Sequence, residues 1–424
     1  MRGFLIPLFI LAGVLAALAG ARDDIKRDVH RSANNYMAYP DDDLPAPGRP
    51  PEGYTPFFID HYARHGSRWL IAPDEYDYPV DVLTRAEQAG CLTPLGKETL
   101  EAARQMQAAS QGRLGELTER GAEQHRGIAR RMAERYPTVF AGDDARVDAR
   151  STVVIRCILS MQNEVNELQA HFPHLRVTMD ASEHDMRYMN FRDSVGYAAK
   201  DLGAPAVNAL RDRLLKPDAL LKRLFTDKTF ISRLDGKQLM SRLFTLAANM
   251  QSTRRFAPGE RGLFNIFTDD EIYDIWRFNN AWWYIHGADS PLTGGRVPFV
   301  QANLLRDFIQ QADNAVMTGR RGAAMRFGHE TMVLSLAALM GLDGADYRTT
   351  DLTTLDRHWQ AYRIFPMACN IQLIFYRNRD GHVLVKPLLN EREVTMPITA
   401  VTGNYYDWND VREFFMRRLG EHQP

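Results

Sequence analysis

The sequence predicts an α/β chain: a mostly parallel sheet flanked by helices, carrying an inserted, mainly helical lobe. Strand, loop and helix alternate over residues 54–184, the pattern of a sheet covered by helices. The same pattern returns over residues 321–424, while residues 185–320 between them show helical periodicity and little strand signal. A length of 424 residues exceeds what one compact core usually holds, so two lobes are expected.

In chain order, Arg2, the apolar run Phe4 to Leu18 and the small residues Ala17-Leu18-Ala19 or Ala19-Gly20-Ala21 read as a cleaved export signal over residues 1–21, in preference to a retained anchor. The run is short for a membrane span. The mature chain is then expected to be periplasmic or secreted, with no stable membrane association. Residues 22–53 are polar and proline-rich and read as an extended lead-in. Thr55 to Tyr62 is an apolar and aromatic run that stops at Arg64-His65-Gly66, as a buried strand ending in a glycine-assisted loop does. Leu117 to Tyr136 reads as a helix with Thr118 as N-cap and Pro137 as its stop. Ala145 to Asp148 is a candidate strand, and Ser151 can cap the helix that follows. In the insert, helices are expected over 207–224 with a break at Pro217, and over 236–251, 269–284 and 300–315. Ala323 to Gly328 reads as a strand with His329 just beyond it, then a helix from Thr331 to Met340 that ends at Gly341. Asp380-Gly381 marks a hairpin between Cys369–Tyr376 and His382–Leu389.

Composition narrows the function. Fifty-two basic residues against 53 acidic ones leave a net charge of −1, which excludes long-range attraction to nucleic acid or an anionic membrane. Anion recognition must therefore be local. Three cysteines leave at least one unpaired, and Cys157 and Cys369 sit in apolar runs as buried small hydrophobes do. No CxxC or HExxH cluster supports a zinc site, and no metal or other cofactor is expected.

Arg64-His65-Gly66-Ser67-Arg68 brackets one imidazole with two guanidinium groups. Planar arginine forks grip phosphate oxygens bidentately, and a glycine lets the backbone approach. A histidine held beside that phosphate can attack phosphorus and split a hard displacement into two easier ones. Asp148-Ala149-Arg150-Ser151 places a third arginine at a strand end beside a helix start, and His329-Glu330 adds a second imidazole and a carboxyl group at another strand end. Arg156 either reaches the same pocket or pairs with a carboxylate, and His61 is read first as a satisfied core histidine. For Arg254-Arg255, Trp282-Trp283 and Asp185 to Tyr188, packing and solvated charge rank ahead of substrate contact.

These motifs, in this order, resemble the histidine acid phosphatases, the branch of the histidine phosphatase superfamily that includes phytases and multiple inositol polyphosphate phosphatases. Arg64 to Arg68 matches the family's RHGxR run, Leu117-Thr118-Glu119-Arg120-Gly121 resembles its LTxxG helix start, and His329-Glu330 stands where the family has His-Asp or His-Ala-Glu. Trp69-Leu70 follow Arg68 where the family usually has a proline, and Glu330 replaces the common Asp. The resemblance implies a phosphoglycerate-mutase-like core and a metal-independent hydrolysis of phosphate monoesters. In it His65 is the nucleophile, Arg64, Arg68, Arg150 and His329 hold the phosphoryl oxygens, and Glu330 protonates the leaving oxygen. The expected partner is a small phosphorylated substrate, inositol polyphosphates such as phytate first. A broad acid or sugar phosphatase and a non-catalytic phosphoryl-ligand binder are the alternatives.

Overall fold

The computed structural model describes residues 20–41, 44–190, 194–253 and 261–420. The expected signal, save its last two residues, lies outside them, as do Arg254 and Arg255. Among the described residues no helix is long and apolar enough to cross a membrane.

Strand β1 (Thr55–Arg64) is buried along all but its first two residues, as befits a central strand covered on both faces. After it come helices α1 (Asp74–Gln88), α2 (Pro94–Ser110) and α3 (Glu119–Arg135), then β2 (Arg146–Ser151), α4 (Ile155–His171) and β3 (Arg176–Ala181). The helical stretch that follows includes α5 (Gly236–Asn249), α6 (Asp269–Gly287) and α7 (Ala302–Thr318). The chain returns through β4 (Gly322–Gly328), α8 (Glu330–Leu339), the hairpin β5 (Asn370–Arg377) and β6 (Val383–Leu389), short β7 (Arg392–Glu393) and β8 (Tyr406–Asp407), and α9 (Trp408–Gly420). The sheet order is β3-β2-β4-β1-β5-β6-β7, with β8 also on β6. Pairing is parallel from β3 to β1 and antiparallel from β1 onward, so the expected α/β class and the hairpin both hold.

The parallel register sets Arg64 opposite Gly328. The residues that leave these two strands, His65 and His329, therefore emerge side by side. This is the carboxyl end of a parallel sheet, where such folds gather ligands.

Helices α3 and α4 cover one face of the sheet, burying Ile59, Ala63, Met325 and Phe327. Helices α7, α8 and α9 cover the other, around Phe58, Tyr62 and Phe375. A separate apolar core joins α1 and α2 to α5 and the first half of α6, through Leu83, Leu100, Leu243 and Trp276. The helical lobe thus draws on α1, α2 and the lead-in (Ala21, Ile25, Ala33 and Met37) and not on residues 185–320 alone. Helix α6 spans both cores, Ile272 and Trp276 in one and Ala281 and Tyr284 in the other.

The first part of the lead-in is helical and not extended. Ala21–Arg27 is a helix and Val29–Tyr36 a run of 3-10 turns, with Ser32, Ala33, Asn34 and Asn35 buried. Ile25, Val29, Ala33 and Met37, four apart, pack it against the core of the helical lobe, and polar contacts add to that: Asp24 accepts from Tyr362 and Arg363, and the Ala38 N–H donates to Gln251. Strand β2 also runs on through Ser151, so the next helix begins at Ile155 and Ser151 does not cap it. Cys91, Cys157 and Cys369 are all buried and unbridged.

Candidate active site

His65 sits one residue beyond β1, 1% exposed. Its Nδ1 lies 2.8 Å from the Gly66 carbonyl oxygen, which can only accept, so the ring proton is on Nδ1 and Nε2 keeps its lone pair. Burial pushes the His65 pKa well below the ordinary histidine value, and Arg64, Arg68, Arg156 and His329 push it further. Both effects favour the neutral ring.

The loop that carries it is clamped from α3 and α4. Gly66 N–H donates to Ser160 Oγ and Ser67 N–H to Gln124 Oε1, while the Ser67 carbonyl accepts from Thr118 N–H and Oγ1–H. Thr118 also caps α3 through the Gly121 N–H. A methyl group on Gly66 would overlap the Gly121 carbonyl, and one on Gly121 would overlap that of Ser67. The two motif glycines are therefore one close contact between loop and helix start. Beneath it, His125 Nε2–H donates to the Arg64 carbonyl and its Nδ1 faces Glu164 Oε2 at 2.7 Å. His61 is buried as expected, its Nε2 3.1 Å from the other Glu164 oxygen, but neither ring nitrogen completes a hydrogen bond among the described residues, so it is not the satisfied histidine it was read as.

His329 begins α8, its backbone N–H donating to Tyr62 Oη, and its ring meets that of His65 edge-on at 5.7 Å. Glu330 Oε2 lies 3.1 Å from Arg64 Nε and 3.9 Å from His65 Nε2. Burial works against the Glu330 charge, but Arg64, Arg68 and His329 outweigh it and hold the carboxyl at about 2. One ligating atom each from His65, His329 and Glu330 lies within 4.8 Å of the others. A cation could span them only against the surrounding guanidinium charges, which favour an anion.

Of the expected phosphate-holding arginines, Arg64 and Arg68 gather here, both buried. Arg64 Nη1 donates to the carbonyls of Asn35 and Phe365, and Arg68 Nη1 to that of Trp69, with the Arg68 guanidinium 5.4 Å from the Tyr36 ring centroid. Arg150 does not join them. It is tied to Asp148, Asp180 and Asp185 at 2.8, 3.1 and 3.3 Å, so its charge is already matched by carboxylates. Arg156, in the first turn of α4, stands with the His65 cluster instead and donates to the Gly115 carbonyl at 3.4 Å. Arg64 Nη2, Arg68 Nε and Arg156 Nε are buried with no hydrogen-bond partner among the described residues. Buried donors left unpaired are rare enough to need a cause, and an oxyanion among the three arginines supplies one.

Sequence reasoning missed Asn35 and Tyr36. Asn35 Nδ2–H donates to Glu330 Oε1 at 3.4 Å, and Tyr36 lies against Arg68.

The family model of the histidine phosphatase superfamily (branch 2) matches residues 63–390. No curated protein sequence matches the chain. Among solved structures, the multiple inositol polyphosphate phosphatase of Bifidobacterium longum in complex with inositol hexasulfate superposes with a TM-score of 0.72 at 20% identity, covering 91% of this chain and 97% of that one. Its complex with phosphate gives 0.70 at 19%, with coverage of 91% and 97%. The phytase of D. castellii gives 0.69 at 14%, covering 93% of this chain and 86% of that one.

Proposed function

The chain belongs to the histidine phosphatase superfamily (branch 2) and is a phosphoric monoester hydrolase, and from that premise we propose that it works through a phosphohistidine on His65. The carrying observation is a buried, neutral His65 whose Nε2 faces Glu330 and His329 among three arginines with unmet donors.

The Nε2 lone pair attacks phosphorus as the bond to the ester oxygen breaks. Arg64, Arg68 and Arg156 take the phosphoryl oxygens, with His329 beside them; Arg156 replaces Arg150 in this role. The ring becomes cationic as the N–P bond forms, which strengthens the Nδ1–H bond to the Gly66 carbonyl. Glu330, ionised before substrate arrives, cannot bring its own proton. A phosphate monoester loses its second proton near pH ~6, so below that the ester itself carries one. Glu330 accepts that proton and passes it to the departing alkoxide. Water then attacks phosphorus, its proton goes to Glu330, and His65 is released neutral.

Inositol polyphosphates such as phytate are the favoured substrates, supported by the inositol hexasulfate and phosphate complexes of the bifidobacterial relative. A broad acid or sugar phosphatase is the alternative reading. The expected signal segment supports a periplasmic or secreted setting.

The test is phosphate release from phytate, glucose 1-phosphate and an aryl phosphate with excess chelator, with vanadate as inhibitor and an acid quench. Turnover should survive chelation and stop with vanadate, and the quenched enzyme should carry an acid-labile, alkali-stable phosphoryl group that His65→Ala lacks. Label on a serine, or near-normal rates in His65→Ala, overturns the mechanism.

A further inference from the structure

A cavity of about 960 Å³ lies between the lead-in and the segments 342–345, 358–364 and 389–394. None of Arg64, His65, Arg68, Arg156, His329 and Glu330 lines it, so it is not the reaction centre.

Its charged lining gathers around one carboxylate. Asp24 is 4% exposed, and the guanidinium groups of Arg27, Arg31 and Arg363 converge on it at 3.3, 3.5 and 2.7 Å. Tyr362 Oη–H donates to the same carboxylate, and its ring centroid lies 5.9 Å from the Arg31 guanidinium and 5.8 Å from that of Arg363. A buried acid and an aromatic ring thus fix where these cations stand.

Three cations on one carboxylate leave charge over. Each guanidinium carries five N–H donors, whereas a carboxylate offers about four acceptor sites, and Tyr362 takes one of them. Arg31 also meets Asp28 at 3.5 Å, but the side chains of Arg27 and Arg363 are 63% and 54% exposed and line the cavity. The other acids of the lining are already engaged: Glu393 meets Lys386 at 2.5 Å, and Asp343 accepts from Thr395. Guanidinium forks with donors to spare, facing a cavity of ligand size, match the oxygens of a phosphate group.

The segments that carry this cluster also hold the clamp at His65. Arg64 Nη1 donates to the carbonyls of Asn35, four residues after Arg31, and Phe365, two after Arg363.

We propose that the cavity is a second anion site, which binds a phosphorylated small molecule through Arg27, Arg31 and Arg363, apart from the site of hydrolysis. It goes beyond the phosphatase reading of His65 and does not depend on it.

The test is calorimetric titration of the full chain with inositol hexasulfate, whose sulfate esters stand in for phosphates, without vanadate and with vanadate saturating the His65 site. The wild type should bind two molecules without vanadate and one with it. Arg27→Gln and Arg363→Gln should each weaken the vanadate-resistant binding about 10-fold, the size of a lost hydrogen bond to a charged group. Arg27 is the most exposed of the three, so Arg27→Gln should keep the wild-type melting temperature and a kcat/KM on 4-nitrophenyl phosphate within about twofold. No binding in the presence of vanadate, or vanadate-resistant binding that both variants leave unchanged, overturns the second site. A wild type that binds one molecule, indifferent to vanadate and weakened by Arg27→Gln, keeps the second site and sinks the phosphatase reading instead.

Discussion

The two sides of the His65 loop are built differently. Behind it, toward α3 and α4, every polar group of the loop backbone named above is matched: the Gly66 and Ser67 N–H groups and the Arg64 and Ser67 carbonyls each have a partner. In front, toward the lead-in and the helical lobe, Arg64 Nη2, Arg68 Nε, Arg156 Nε and both amide atoms of Asn34 have none. The loop backbone is satisfied from the rear, although His61 and Glu164 Oε1 behind it are not, and on the proposed mechanism the unpaired arginine donors in front are the ones a bound phosphate completes. On the proposed mechanism, the rear fixes where Nε2 points and the front supplies what phosphate and its ester group meet.

The comparison breaks most easily at Glu330, in front, where the largest effect is expected. If Glu330 relays the proton, Glu330→Gln should lower kcat/KM on phytate by about 10²- to 10⁴-fold, and spare an aryl phosphate, whose leaving oxide needs no proton. The pH profile sharpens this. With His65 held well below its usual value and Glu330 at about 2, neither group limits the free enzyme in mild acid. Wild-type kcat/KM should therefore hold through mild acid and fall as the ester loses its own proton near pH ~6. A kcat/KM that climbs between pH 6 and 7, as an ordinary histidine deprotonates, would sink the assignment.

The next effect separates two arginines. Arg156→Gln removes a member of the open front and should cost kcat/KM about 10²-fold, as loss of one transition-state donor typically does. Arg150→Gln removes a cation already matched by three carboxylates, so its cost should fall on melting temperature, with kcat/KM within about threefold by the same reasoning. If Arg150→Gln is the more damaging to phosphate affinity, the roles assigned here are reversed.

Much of this was legible in the chain. Both histidine motifs end apolar strand patterns, which is why the parallel pairing of β1 with β4 could be expected to bring them together. Arg156 was the harder case. Residues 152–160 contain no carboxylate, whereas Asp148 lies two residues before Arg150; a basic residue with no local partner was the one left for the ligand. Asn34, Asn35 and Tyr36 were not legible, because the apolar spacing of Ile25, Val29, Ala33 and Met37 does not single them out and the polar partners of Asn35 and Tyr36, which are Glu330, Arg64 and Arg68, are remote in sequence. The pairing of α1 and α2 with α5 was hidden likewise, since periodicity shows that a helix has a buried face and not which helix covers it.

The smallest expected effect tests the rear. Glu164 bridges His61 and His125, and His125 holds the Arg64 carbonyl, the peptide that leads directly into the nucleophile. Burial disfavours the Glu164 charge, but the two histidines outweigh it and hold the carboxyl at about 2, below its ordinary value of 4.5. A carboxyl whose folded value is depressed adds stability that is fully present above its unfolded value and is lost as pH falls through the folded one. Wild-type Tm should therefore drop between pH 4.5 and about 2, with Glu164 contributing part of the slope. Glu164→Gln should lower Tm at neutral pH, flatten that slope, and place an amide donor against a ring N–H that previously met a carboxylate. The loop would then lose orientation but no phosphate contact, so kcat should fall about 10-fold, less than the 10² a full ångström of misplacement can cost, while inhibition by inorganic phosphate stays unchanged. A weakened phosphate inhibition with kcat preserved would move Glu164 to the ligand side and erase the division between the two faces of the loop.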